Sequence, residues 1–358
     1  MSYDRWKKLY QDQKFFDFNT DEALLWLKAK TISKKSSMDD FLNQNHIQLT
    51  SAKIDDKNKE LFALLLNNPK SSMKLLDAFL RDINNEWYRK KGVDEKQLKN
   101  DLYRVDSYEW GGDQNNSLDK YLISHYVKDI SKYDELESKV LAIQENAWKY
   151  VRTSWYNNWS SFLIESIFKH HPKVISAVGE IKSVDFFIDD MPLDLKVTYF
   201  PGNFMSEKLK VKLGGKHELA WLKMKAKERG MGGMKEVKTV AVAAEKIGAA
   251  GHDDILTELR TKRKAVIDDT IRNKSELMKN LYEKQGEMRF GAENRLFLVL
   301  VDSSDMTQSW KMKRAFEQIE PAINNYLDGF NKASLSRIDF TFKDKAYSSL
   351  ADVIFVVK

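Results

Sequence analysis

Two adjacent aspartates between two apolar runs constrain this chain most. Residues 183–188 end in Phe186-Phe-Ile188, Asp189-Asp190 follows, and Met191-Pro-Leu-Asp-Leu-Lys-Val-Thr-Tyr-Phe200 continues. Asp-Asp at that place is turn chemistry, so the stretch predicts a β-hairpin. A two-residue loop puts Ile188 opposite Met191 and Asp185 opposite Asp194. A four-residue loop puts Asp185 opposite Lys196. Side chains alternate along a strand, so Asp194 and Lys196 share a face. Either register gathers Asp185, Asp194 and Lys196 within cross-strand distance. Val184, Phe186, Leu193, Leu195 and Val197 are apolar and predict that the other face is buried.

Two carboxylates held opposite each other repel, which costs stability unless a cation lies between them. Oxygen ligands favour Mg²⁺, which binds through one or two carboxylates plus substrate phosphate. Lys196 alongside would orient or help deprotonate a metal-bound water, or stabilise charge developing on phosphorus. Those are the parts of metal-assisted phosphodiester hydrolysis. A plain surface hairpin with solvated charges is the alternative, and the apolar flanks count against it.

Residues 1–148 read as helical. Asp21 and Glu22 open one helix, Pro69 follows another, Ser71 or Ser72 can cap the next, and Leu75, Leu76, Phe79, Leu80 and Ile83 form one stripe. From about 149 the texture changes. A helix carrying Trp155, Trp159, Phe162, Leu163 and Ile167 runs to His170-His171-Pro172. Strand-like runs cover 174–181, 183–188 and 191–200. A helical stretch spans 253–284, and 237–244 fits strand or helix. Leu296–Val301 is continuous and apolar, as a central strand is. Met312, Phe316, Ile319, Ile323, Tyr326 and Phe330 keep helical spacing. Ile338, Phe340 and Phe342 alternate with polar residues, and 353–357 is a last buried strand. The expected fold class is α/β (α+β) with a mixed central sheet flanked by helices. An all-helical N-terminal region (1–148) for recognition or dimerisation precedes the 149–358 domain, which holds a basic helical insertion at about 202–290.

The net charge of +6 is mild, but it is not spread evenly. The net values are 0 over 1–150, −1 over 151–200, +7 over 201–290 and 0 over 291–358. The densest part is Lys208, Lys210, Lys212, Lys216, Lys223, Lys225, Lys227 and Arg229. A localised basic surface is the footprint of a phosphate-backbone contact, although a solvated lysine-rich helix face has the same composition. The absence of cysteine excludes disulfide scaffolds, thiolate zinc sites and thiol nucleophiles, and fits a reducing compartment. No apolar run reaches a membrane span, and the first residues lack a signal-peptide core.

Asp185 followed by Asp194-Leu195-Lys196 across a hairpin resembles the PD-(D/E)xK motif of the restriction-endonuclease-like nuclease superfamily. The order of elements over 151–358 resembles that family's core, and Val184 stands where the name-giving proline would be. The resemblance implies a restriction-endonuclease-like mixed sheet, with Asp185 and Asp194 as Mg²⁺ ligands and Lys196 serving the attacking water. It implies an acidic helper on the preceding helix, which Glu165 matches, with Glu180 a weaker match. Mn²⁺ would substitute for Mg²⁺. A type II restriction enzyme or phage-defence nuclease, bacterial or phage-encoded and cytoplasmic, would act on double-stranded DNA as a homodimer. A structure-specific or RNA-directed nuclease of the same fold, or a non-catalytic nucleic-acid-binding protein, are the competing readings.

Some members carry a glutamine after the motif strand, which Gln285 matches; Arg289 and Arg295 are candidate phosphate contacts. Thr198 shares the face of Lys196. Adjacent His170 and His171 read as a helix end, because neighbours on a helix point about 100° apart. Gly230-Met-Gly-Gly233 lacks the Lys-Ser/Thr of a phosphate loop.

Overall fold

The computed structural model describes residues 2–110, 117–178, 181, 183–284, 292–342 and 344–358. The architecture is α+β: a six-stranded mixed, open sheet within a mostly helical chain. The strands are β1 (Val174–Ser176), β2 (Phe186–Ile188), β3 (Met191–Tyr199), β4 (Arg295–Val301), β5 (Ser336–Phe342) and β6 (Lys345–Val357). Their spatial order is β1-β2-β3-β4-β6-β5. The first three form an antiparallel meander. β3, β4 and β6 run parallel, and β5 returns antiparallel as an edge. β4 is buried along its whole length, as its unbroken apolar run requires between two neighbours and two covered faces.

Alternation along the strands divides the core. Leu193, Leu296, Leu298, Leu300, Ile354 and Val356 pack with the helices Val140–His170 and Phe316–Asp328 on one face. Phe297, Val299, Val301, Phe340 and Val353 pack on the other, against the helices of 202–284. The basic segment is therefore one helical layer on the sheet. A third core joins the first helices to the meander: Trp26, Phe41, Phe62 and Phe79 share it with Ile175, Val184 and Phe187. Position 148 falls inside the continuous helix Val140–His170.

Local chemistry explains most element ends. Thr20 accepts the Ala23 N–H at the start of Asp21–Thr31. Asn68, not Ser71 or Ser72, caps Pro69–Lys91, with Pro69 in the first turn where no donor is needed, and Gly92 closes that helix at φ +59°. The stretch 253–284 is two helices, Asp253–Arg272 and Ser275–Lys284. The ambiguous 237–244 run lies mostly in the helix Val240–Ala249, capped by Thr239. Met306–Arg314 is 3₁₀ rather than α, and Phe316–Asp328 follows as a separate helix. The first strand stops at Ser176, well short of 181. No described helix is long and apolar enough to cross a membrane.

Candidate active site

The hairpin closes through a two-residue loop, with Ile188 paired to Met191 and Phe186 to Leu193. Asp189 and Asp190 both have positive φ, 46° and 65°. That is the type I′ combination, whose twist matches the flanking strands. Pro192 pairs with Phe187, the position next to the bonded Ile188–Met191 pair, where the ladder requires no donor. Regular pairing stops at Phe186–Leu193, and Asp185 and Asp194 are the next residues on the two strands.

The ladder itself ends there. Asp185 Oδ2 accepts the Leu195 N–H at 2.8 Å, so a side chain takes this β3 donor. The Asp185 N–H donates to the Leu193 carbonyl at 3.0 Å, and its carbonyl accepts from Ala177 at 2.9 Å. The carboxylate is thus held by β3 backbone, and the main chain that carries it is held by Leu193 and Ala177. Burial, then the negative charge of Asp194, pushes its pKa up to about 7. Asp194 is also raised, first by burial. Two carboxylates in a site this dry share a proton more readily than they share charge.

Asp194 has a partner that local sequence spacing does not reveal. Arg295, first residue of β4, donates from Nε to Asp194 Oδ2 at 2.8 Å and from a terminal nitrogen to Glu293 at 2.9 Å. Asp194 pairs with Arg295 in the parallel register, and the Asp194 N–H donates to the Asn294 carbonyl. Only 4% of the Arg295 side chain is exposed, and the guanidinium lies 5.2 Å from the Tyr282 ring centroid. Arg295 is therefore a buried counter-ion of the site, not an outward phosphate contact. Burial raises the Glu293 pKa to about 7.

Lys196 lies two residues beyond Asp194 on the same face. Burial, then Arg295, lowers its pKa. Glu165 comes close enough to raise both aspartates, but its carboxylate accepts from Lys169 at 2.9 Å. Among the described residues no group of three or more Asp, Glu, His or Cys could hold a metal ion. The ligand set Asp185, Asp194 and Glu165 is thus not assembled as a triad. The two aspartates alone fit a divalent cation that keeps most of its waters: each spends Oδ2 on a protein donor, and Oδ1 of each accepts no hydrogen bond from the described residues.

The basic residues fall into two sets. Lys208, Lys212, Lys225 and Arg229 meet Glu276, Asp269, Glu258 and Asp254 from the neighbouring helices. Lys223 donates to the Lys235 carbonyl. Lys210, Lys216 and Lys227 are exposed and form no ion pair among the described residues. Gln285, Arg289 and Glu180 lie outside the described residues. His170 ends its helix, with Nδ1 at 2.8 Å from the Ser166 carbonyl, and His171 follows as the cap.

The hairpin tip is held from the N-terminal helices. Lys28, fully buried, lies 2.5 Å from both Asp77 and Asp190 and over the Phe187 ring at 5.4 Å. The pair of β-turn aspartates announced the turn, whereas the ammonium that neutralises one of them lies 162 residues away. No family model, curated protein or solved structure matches the chain.

Proposed function

We propose that this chain is a Mg²⁺-dependent endonuclease that hydrolyses phosphodiester bonds in double-stranded DNA, with a restriction-endonuclease-like core formed by the helix Val140–His170, the meander β1–β3 and the parallel strands β4 and β6. The observation that carries this reading is the pair Asp185–Asp194: two desolvated carboxylates at the end of the β2–β3 pairing, each with Oδ2 held by a protein donor and Oδ1 accepting no hydrogen bond from the described residues, with Lys196 beside them. A bound Mg²⁺ supplies Lewis acidity at the phosphodiester and makes attacking water easier to deprotonate.

The chain's own groups do the rest. Asp185 and Asp194 hold the cation, and Arg295 fixes the orientation of Asp194 through its Nε contact. Lys196 orients the attacking water and gives or takes a proton, which its lowered pKa makes easier near neutrality. Lys210, Lys216 and Lys227 contribute the backbone contact, since their charge is not spent on carboxylates.

Supercoiled plasmid incubated with Mg²⁺ or with EDTA tests the reading, using wild type, Asp185→Asn, Asp194→Asn and Lys196→Ala, each checked for folding by circular dichroism. Cleavage should require the metal and fall by at least about 10²-fold in each variant. Metal-dependent cutting that survives all three substitutions sinks the assignment. Parallel single-stranded, branched and RNA substrates tell a duplex-DNA enzyme from its relatives in chemistry.

A further inference from the structure

The long helix Val140–His170 carries a second pattern that the candidate active site does not use. Leu141, Trp148, Trp155 and Phe162 recur at every seventh residue, with Val151 between the second and third. A seven-residue period keeps a stripe aligned with a partner helix; Trp155 and Phe162 pack partly against this chain's own core, so the free part of the stripe is its first half. The first half of that stripe faces outward: Leu141 is 78% exposed, Trp148 62% and Val151 51%. Exposed Trp87 extends the surface, in ring contact with Phe162. The opposite side of the helix is already used, since Asn146 donates to the Tyr121 and Tyr126 hydroxyls and Tyr150 packs edge-on against Trp110.

We infer that this stripe is a dimerisation seam, taking the same helix of a second copy of this chain in antiparallel orientation. The charges select that occupant. Glu145 and Arg152 are seven apart, so they lie on one flank with opposite signs. An antiparallel copy centred between 149 and 150 brings Trp148 beside the partner's Val151, Leu141 beside the partner's Asn158, and Glu145 near the partner's Arg152, each twice. A parallel copy leaves both charges without a partner. The present contacts, Glu145–Lys149 and Arg152–Asp106, involve carboxylates that are 63% and 79% exposed, while the Arg152 side chain is 21% exposed. Gln144 and Asn158 within the seam favour one register over slipped ones. The mixed charge of the flanks fits a protein partner better than a nucleic acid. The inference stands independently of the nuclease reading.

Analytical ultracentrifugation of the full chain tests it. Wild type should sediment as a dimer at micromolar concentration. Leu141→Asp with Trp148→Glu should be monomeric with an unchanged circular dichroism spectrum, because both side chains are exposed. Glu145→Arg should weaken the dimer by at least about tenfold, and adding Arg152→Glu should restore it. The chain contains no cysteine, so single cysteines report cleanly. Under oxidation, Leu141→Cys mixed with Asn158→Cys should cross-link, and neither should do so alone. A monomeric wild type, a doubly substituted variant that remains a dimer, or cross-linking of Leu141→Cys with itself overturns the proposal. A monomer whose tryptophan fluorescence is quenched by single-stranded oligonucleotide overturns it in favour of base stacking.

Discussion

Arg295 Nε lies 2.8 Å from Asp194 Oδ2 and joins residues 101 apart in the chain. This contact turns a strained pair of carboxylates into a site that can exist without a bound cation. The guanidinium also holds Glu293, so removing it strands two nearly buried acids. Arg295→Ala should therefore cost about 3–5 kcal/mol in urea unfolding. Arg295→Lys should recover part of that, because an ammonium keeps the charge without the forked geometry. A loss below about 1 kcal/mol for the alanine variant would mean that the ion pair does not hold the site together.

The raised pKa of Asp185 sets a sign for the pH dependence of stability. Its folded value, about 7, lies above the ordinary carboxylate value of the unfolded chain. The folded state then binds the proton more tightly. The favourable contribution is complete below about pH 4 and is lost as pH rises toward 7. Asp185→Asn keeps an acceptor for the Leu195 N–H and removes the charge. This variant should be about 2 kcal/mol more stable than wild type at pH 8 without metal, and the difference should shrink at pH 4. Thermal melts across that range check both halves.

Metal binding should carry the same proton. Because Asp185 is largely protonated below its raised pKa, Mg²⁺ affinity should rise about tenfold per pH unit below pH 7 and level off above it. Calorimetry in buffers of different ionisation enthalpy should count close to one proton released near pH 6. Asp185→Asn should bind the ion weakly and without proton release.

At the hairpin tip, Asp189 is exposed and has φ +46°. Asp189→Gly relieves that conformation and should stabilise by about 0.5–1 kcal/mol. Lys28→Met should do the reverse, by about 1–3 kcal/mol, since Asp77 and Asp190 lose their buried cation while remaining partly exposed to water. Chemical denaturation of the two variants side by side decides whether the tip behaves this way.

For the basic layer, the ion pairs predict an unequal division of labour. Lys210→Ala, Lys216→Ala and Lys227→Ala should each weaken duplex binding and lower the salt slope by about 0.9. Lys212→Ala should do less, because Asp269 already occupies that ammonium at 2.7 Å. Fluorescence anisotropy across a salt series distinguishes the two groups, and equal slopes for all four would remove the distinction.

The hairpin was legible in the sequence because its causes are local. An Asp-Asp turn and apolar alternation specify a hairpin, and either loop length gathers Asp185, Asp194 and Lys196; the folded chain selects the two-residue loop. Leu296–Val301 was legible for the same reason: only a strand covered on both faces tolerates such a run. Some features depend on groups far away in the chain. At the boundary of β2, the Leu195 N–H goes to the Asp185 side chain and the Asp185 N–H to the Leu193 carbonyl. Asp194 acquires its cation from β4 only through the parallel pairing of Asp194 with Arg295. Glu165 is drawn to Lys169 on its own helix, so helix position alone did not make it a third ligand. The basic composition of 201–290 was plain to read, but which lysines form ion pairs was decided by carboxylates packed against them from other helices. Short-range steric and hydrogen-bonding preferences are written residue by residue. Desolvation and long-range ion pairing exist only once the sheet has brought its strands together.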